Sequence, residues 1–144
     1  MKTKHTLSIW QSPDIIQEQT VNWLSELEFI KDEYHVFEEW LREFSFQIMI
    51  DNDLIKAQKI KEQLKLNHER LTLLHNHITA HHYEIAVLED GIDQPELEKI
   101  IQKNHQQLQK DMQEFNAAYR SLKVEVFDVI KNTLKHLKIK SINA

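Results

Sequence analysis

The stretch IQEQTVNWLSELEFIKDEYHVFEEWLREFSFQI, residues 16–48, decides the fold, because its core positions recur at alternating steps of four and three residues. A seven-residue repeat this long, without glycine or proline, is typical of a helix that supercoils with its neighbours. We therefore predict one long helix with the repeat positions in its core. These positions are Ile16, Thr20, Trp23, Leu27, Ile30, Tyr34, Phe37, Leu41, Phe44 and Ile48.

Two later stretches carry the same repeat and predict two further helices. The second repeat runs through Ala57, Ile60, Leu64, Asn67, Leu71, Leu74, Ile78, His81, Ile85 and Leu88. The third runs through Ile101, His105, Leu108, Met112, Phe115, Tyr119, Leu122, Val126, Val129 and Thr133.

The three repeats agree on one register. In an antiparallel helix pair, the numbers of facing residues have a constant sum, and both hairpins obey this rule along their length. The matched pairs include Ile16 with Ile85, Phe37 with Leu64, Ile85 with Ile101, and Ala57 with Val129. The fold class predicted is all-α, an antiparallel up-down-up three-helix bundle of the coiled-coil type with long helices.

Capping and turn residues set the predicted boundaries. Ser12-Pro13-Asp14 is a strong helix start, Asp51-Asn52-Asp53 is a turn, and Gly91 suits the left-handed position after a helix. Asp93 to Glu96 has the spacing of a capping box. The predicted organisation is a flexible lead-in over 1–11, a single bundle over 12–140 with helices at about 13–49, 53–89 and 94–139, and a tail over 141–144.

Composition limits the classes of function. One glycine and two prolines in 144 residues leave little material for sheets or long loops. The net charge of −5 argues against a nucleic-acid partner, and the absence of cysteine excludes disulfide and thiolate chemistry. No apolar run is long enough to span a membrane. We expect a cytoplasmic protein.

Two predicted core layers are polar. The first contains Tyr34, Asn67 and Tyr119, where a buried asparagine bonded to tyrosine hydroxyls would fix the register and the number of chains. From the sequence alone, Asn67→Leu is expected to fold at least as stably but to lose a unique oligomeric state. The second layer contains Thr20, His81 and His105.

The histidine layer has three interpretations. His81 and His105 form a hydrogen-bonded structural pair, a pH switch, or part of a weak site for zinc or another divalent transition metal. The metal interpretation uses His77, His81, Glu84 and His105, because the first three project from one side of the second helix. No His-Glu-x-x-His or Glu-x-x-His motif is present, so metalloprotease and di-iron signatures are absent.

The chain has more apolar side chains than one core stripe per helix requires. Either these broaden the core or they form a partner surface for a homodimer, another homo-oligomer or another protein's helix. The predicted surface comprises Phe29, Val36, Trp40, Leu66, Leu73, Phe127, Ile130, Leu134 and Leu137. The basic C-terminal run suits the helix dipole, and we expect membrane contact to be unlikely.

No phosphate loop, activated nucleophile or triad pattern indicates an enzyme, and no cofactor is expected unless the metal interpretation holds. At Trp23–Glu33 and again at Tyr119–Phe127, the chain resembles a group of short, uncharacterised bacterial helical-bundle proteins. The resemblance implies a bacterial coiled-coil bundle and no activity. The sequence therefore predicts a non-catalytic interaction, scaffold or regulatory module, with a metal-binding or pH-responsive bundle as the alternative.

Overall fold

The computed structural model of the chain describes residues 11–51, 54–91 and 94–143. Over these residues the protein is all-helical, as predicted. Its helices are α1 (Pro13–Glu43), α2 (Ser45–Asp51), α3 (Leu54–Asp90) and α4 (Pro95–Asn143). The predicted lead-in up to residue 10, the turn residues 52–53 and the capping Asp93 lie outside the described residues.

The start of α1 forms as the capping residues predict. Ser12 Oγ accepts a hydrogen bond from the Ile15 backbone N–H at 3.3 Å, and the Ser12 carbonyl accepts one from Ile16 at 3.1 Å. Pro13 occupies the first helical position, where its missing N–H leaves no helical bond unmade. These contacts cap the first turn of α1.

The predicted first helix over 13–49 is wrong in one respect, because Phe44 divides it into α1 and α2. Helical bonds continue on both sides, from Phe44 N–H to the Trp40 carbonyl and from Ile48 N–H to the Phe44 carbonyl. Ser45 follows, and a serine side chain competes for nearby backbone groups. The described chain therefore has four helices rather than three.

Two predicted helix ends also differ. The last helix continues to Asn143, so most of the predicted tail is helical. Gly91 follows α3 without a positive φ, so the left-handed conformation expected there is wrong. A Cβ at this position would lie 3.0 Å from the Val87 carbonyl oxygen and 2.8 Å from the Gln94 side chain. Glycine fits because of this space restriction.

Contacts gather the chain into two compact units, and α1, α3 and α4 each contribute to both. Unit 1 comprises the chain up to Glu28 together with Thr72–Glu114. Unit 2 comprises Phe29–Leu71 together with the chain from Phe115 onward.

The repeat positions form the cores of both units. All of them are buried except Trp23, Phe44 and Leu88, which are half-buried. A polar side chain outside the repeat, Gln102, is also buried, in unit 1. Its amide N–H donates to the Gln11 carbonyl at 2.6 Å, and its Oε1 accepts from the Gln11 N–H at 3.4 Å. This reciprocal pairing holds the residue before the α1 cap against α4.

Candidate functional site

Two buried imidazoles form the most unusual polar contact of unit 1. His81 on α3 and His105 on α4 are each about 2% exposed, and His81 Nε2 lies 2.9 Å from His105 Nδ1. Two side chains of α1 complete the surroundings. Gln19 Oε1 lies 2.7 Å from His105 Nε2, and the Trp23 ring stacks on the His105 ring with centroids 4.6 Å apart.

The hydrogen bonds assign the tautomers of both rings. Because Gln19 Oε1 only accepts, His105 carries its proton on Nε2 and donates to Gln19. His105 Nδ1 is then an acceptor, so His81 donates to it from Nε2. His81 Nδ1 is left as a bare acceptor, and it is buried without a hydrogen-bond partner among the described residues.

This arrangement opposes protonation of either ring. An additional proton on the pair always leaves a buried N–H of His81 without an acceptor, which costs about 1–3 kcal/mol or more for a charged group. Neither ring forms an ion pair within the described part of the chain. Burial lowers the pKa of His81 to about 4. Burial and, to a smaller extent, repulsion from His81 lower the pKa of His105 to about 4.

Thr20, the third member of the predicted histidine layer, is fully buried in the same unit. Its hydroxyl donates to the Ile16 carbonyl of its own helix at 2.7 Å. The α1 residue that forms a hydrogen bond with His105 is instead Gln19, next to Thr20.

The structure does not bring the predicted metal ligands together as a set. His81 and His105 are buried and bonded to each other, whereas His77 and Glu84 are exposed. His77, His81 and Glu84 border a cavity of about 320 Å³ that Asp111 of α4 also lines. Within the described residues, no three histidine or carboxylate side chains are placed to hold one ion.

Calorimetric titration with Zn²⁺ tests the metal interpretation. We expect only weak binding, unchanged within about twofold in His81→Leu, because the ring atoms of His81 are buried. Loss of a true ligand should weaken binding by more than about tenfold. A single strong site that disappears in both His81→Leu and His77→Leu, but persists in the exposed control His35→Leu, would establish the metal site.

In unit 2, the layer of Tyr34, Asn67 and Tyr119 is buried as predicted, but its bonds are unequal. The Tyr34 hydroxyl donates to Asn67 Oδ1. The Tyr119 hydroxyl instead donates to Glu33 Oε1 at 2.6 Å, outside the repeat. The two tyrosine rings meet edge to face with centroids 5.7 Å apart. Burial raises the pKa of Tyr34, so its hydroxyl remains a donor.

Glu33 lies outside the repeat, yet it accepts hydrogen bonds from two side chains of α4. Its second carboxylate oxygen accepts from Lys123 Nζ at 2.8 Å. Burial alone raises the pKa of Glu33, but hydrogen bonds from Lys123 and Tyr119 outweigh it, so the pKa is lowered overall. Glu33 therefore stays ionised and joins α1 to α4 within unit 2.

The predicted apolar surface is mostly exposed. In unit 2, Phe29 is 63% exposed, and Val36, Leu66, Phe127 and Leu134 are also exposed. In unit 1, Leu73 is exposed.

Other members of the predicted surface are partly covered. Trp40 and Leu137 are half-buried. The Phe127 ring packs against Phe37 and Trp40, with centroids 5.6 and 6.1 Å apart. This part of the surface therefore also broadens the core.

The prediction that Ile130 belongs to the exposed apolar surface is wrong, because Ile130 is only 6% exposed in unit 2. The buried stripe of α4 widens here to include both Val129 and Ile130, together with Val126 and Thr133. Strict heptad spacing assigns only one of the adjacent pair to the core, and it therefore placed Ile130 outside.

No helix of the described chain is long and apolar enough to cross a bilayer. No family model, curated protein or solved structure matches the chain.

Proposed function

We propose that the chain is a non-catalytic, regulatory helical module that acts through protein contacts and whose folded state depends on pH. The observation that carries the proposal is the buried hydrogen bond between His81 and His105. The buried pair is compatible with the fold while both imidazoles are neutral. Below about pH 6.5 the unfolded chain binds protons more readily than the folded chain, so the free energy of unfolding decreases. Acid therefore weakens any contact that requires the folded chain.

The proposed architecture is one domain, an up-down-up three-helix bundle in which α2 continues the direction of α1. Three long helices that each contribute to both units support it. So do the pairs Tyr34–Asn67 and His81–His105, which are the pairs that the constant-sum register predicts. A cytoplasmic location and a bacterial origin belong to the same proposal.

The proposed contacts are those of a homodimer, or of a partner helix in the same place. The exposed apolar side chains Phe29 and Val36 support this, since they follow heptad spacing along one stripe of α1 beside half-buried Trp40. Such a stripe is the surface that an amphipathic helix packs against.

Light scattering tests the proposal. We expect the wild-type chain at pH 7 to have about twice its mass of 17.3 kDa. At pH 5, in the highest urea concentration that leaves the wild-type dimer intact at pH 7, the dimer should dissociate as the chain unfolds, whereas His81→Leu/His105→Leu should remain dimeric. Phe29→Glu/Val36→Glu should be monomeric at both values, because carboxylates buried at the interface oppose association.

The matched control is Ile100→Glu, which places a carboxylate at a comparably exposed apolar site of unit 1 and should leave the dimer intact. A wild-type dimer that persists unchanged at pH 5 in that urea concentration contradicts the pH dependence. A wild-type monomer at pH 7 contradicts the homodimer and leaves only the partner helix.

A further inference from the structure

Unit 2 exposes a second group of apolar side chains, which the repeat does not predict. In α2, Phe46, Met49 and Ile50 have the i, i+3, i+4 spacing of one helix face, and all three are exposed while Ile48 is buried. Phe46 is 71% exposed. The short helix therefore presents an apolar face outward.

The start of α3 and the end of α4 also expose apolar side chains. Leu54 and Ile55 in the first turn of α3 are exposed, Ile55 at 72%. In α4, no side chain described after Thr133 is buried, and Ile142 is 72% exposed. By the register that pairs Ala57 with Val129, this last part of α4 lies level with the start of α3 or beyond it. We call residues 45–51, 54–61 and 131–143 together the basic apolar segments.

Charge is segregated in the same segments. Over residues 45–61 and 131–144, the sequence contains seven lysines, two aspartates and no other charged side chain apart from His136, which gives a formal charge of +5. Because the whole chain carries −5, the remaining residues carry −10. Exposed lysines such as Lys56, Lys135 and Lys138 alternate with the exposed apolar side chains.

Exposed lysines next to exposed apolar side chains favour one class of partner over two others. A symmetric contact with a second copy would place each set of lysines against its own copy, and like charges oppose this. A nucleic acid would use the lysines but leave the apolar side chains in water. An anionic bilayer surface satisfies both, because lysine heads reach lipid phosphates while apolar side chains enter the interface.

We propose that the basic apolar segments dock on anionic membrane surfaces without crossing the bilayer. This goes beyond the predicted protein contacts and replaces the expectation that membrane contact is unlikely. Phe46, Ile50 and Ile55 insert at the headgroup boundary, and the lysines of α3 and α4 contact the phosphates. The partner is recognised by its negative surface charge, so neutral lipid is a poor substitute.

Co-sedimentation of the full chain with vesicles at pH 7.4 tests the proposal. Binding is expected with phosphatidylcholine containing about one third phosphatidylglycerol, and should fall about tenfold or more with phosphatidylcholine alone. Phe46→Ser/Ile55→Ser and Lys131→Glu/Lys135→Glu/Lys138→Glu should each weaken binding to the anionic vesicles about tenfold or more. The mutated side chains are exposed, so circular dichroism should show unchanged helix content.

The matched control is Val87→Ser/Ile100→Ser, which removes two exposed apolar side chains of unit 1 and should bind like wild type. Equal binding to both vesicle types, or no binding by wild type, overturns the proposal. So does an oligonucleotide that displaces the vesicles and binds Phe46→Ser/Ile55→Ser as tightly as wild type. If Phe46→Ser/Ile55→Ser instead changes the mass of the chain in solution, the segments bind a second copy. Phe29→Glu/Val36→Glu should still bind vesicles, which separates this outcome from that of the proposed dimer.

Discussion

Lowering the pH from 7 to 5 is expected to reduce the free energy of unfolding by about 2 to 4 kcal/mol more in the wild-type chain than in His81→Leu/His105→Leu. In the unfolded chain both imidazoles titrate near 6.5, whereas in the folded chain the pKa of each is about 4. A lowered folded pKa means that the unfolded state binds more protons. The stabilisation is therefore complete above pH 6.5, is lost as the pH falls, and changes no further below about 4.

Chemical denaturation at each pH measures this difference. Leucine is compatible with both repeat positions, and all other titrating groups remain in the double variant, so their contributions cancel in the comparison. His77→Leu removes an exposed histidine of the same helix and should keep the wild-type pH dependence. Parallel stability curves for wild type and the double variant between pH 7 and 5 would show that the pair does not control acid sensitivity.

The second large effect concerns the hydrogen bond from Tyr34 to Asn67 in unit 2. Tyr34→Phe and Asn67→Leu should each destabilise the fold by about 1–3 kcal/mol, because each leaves a buried polar group without its partner. In the double variant no such group remains, so the combined loss should be smaller than the sum by about 1–3 kcal/mol.

Urea denaturation of the four chains gives the coupling energy. The edge-to-face contact of Tyr34 with Tyr119 and its stacking on His68 survive in Tyr34→Phe, since the ring remains. Tyr83→Phe removes an exposed hydroxyl and should change stability by less than about 0.5 kcal/mol. A coupling below that value would indicate that Asn67 finds another donor.

This expectation reverses the one drawn from the sequence, in which Asn67→Leu folds at least as stably. The repeat predicts that Asn67 is buried near two tyrosines, but it does not indicate which of the two hydroxyls donates to Asn67. Tyr34 donates to Asn67, whereas Tyr119 donates to Glu33, so the two tyrosine hydroxyls depend on different acceptors. Asn67→Leu therefore leaves the buried Tyr34 hydroxyl without its acceptor, which lowers the free energy of unfolding.

The sequence predicts which positions are buried, but it does not predict which side chains form hydrogen bonds. A seven-residue repeat is set by local helix geometry, so it identifies the buried positions and pairs His81 with His105 across helices. Gln19 and Glu33 lie one position away from Thr20 and Tyr34, and their bonds depend on side-chain conformation. Their roles therefore emerge only from the three-dimensional arrangement.

The interruption at Phe44 and the outward apolar face of α2 were also not predicted. Neither glycine nor proline marks Phe44, and the repeat continues through it to Ile48. The pattern therefore predicts an unbroken helix. Exposure of Phe46 depends on which side of α2 packs inward, and apolar character alone does not distinguish an inward face from an outward one.

Nitrogen-15 NMR of the histidine rings tests whether His81 and His105 form a buried neutral pair, because it reports the tautomer and pKa of each imidazole in the folded chain. We expect His81 and His105 both to carry a proton on Nε2 and to remain neutral down to about pH 5. Full protonation of either ring between pH 6 and 7, with the chain still folded, would show that the pair is hydrated and that acid cannot act through it.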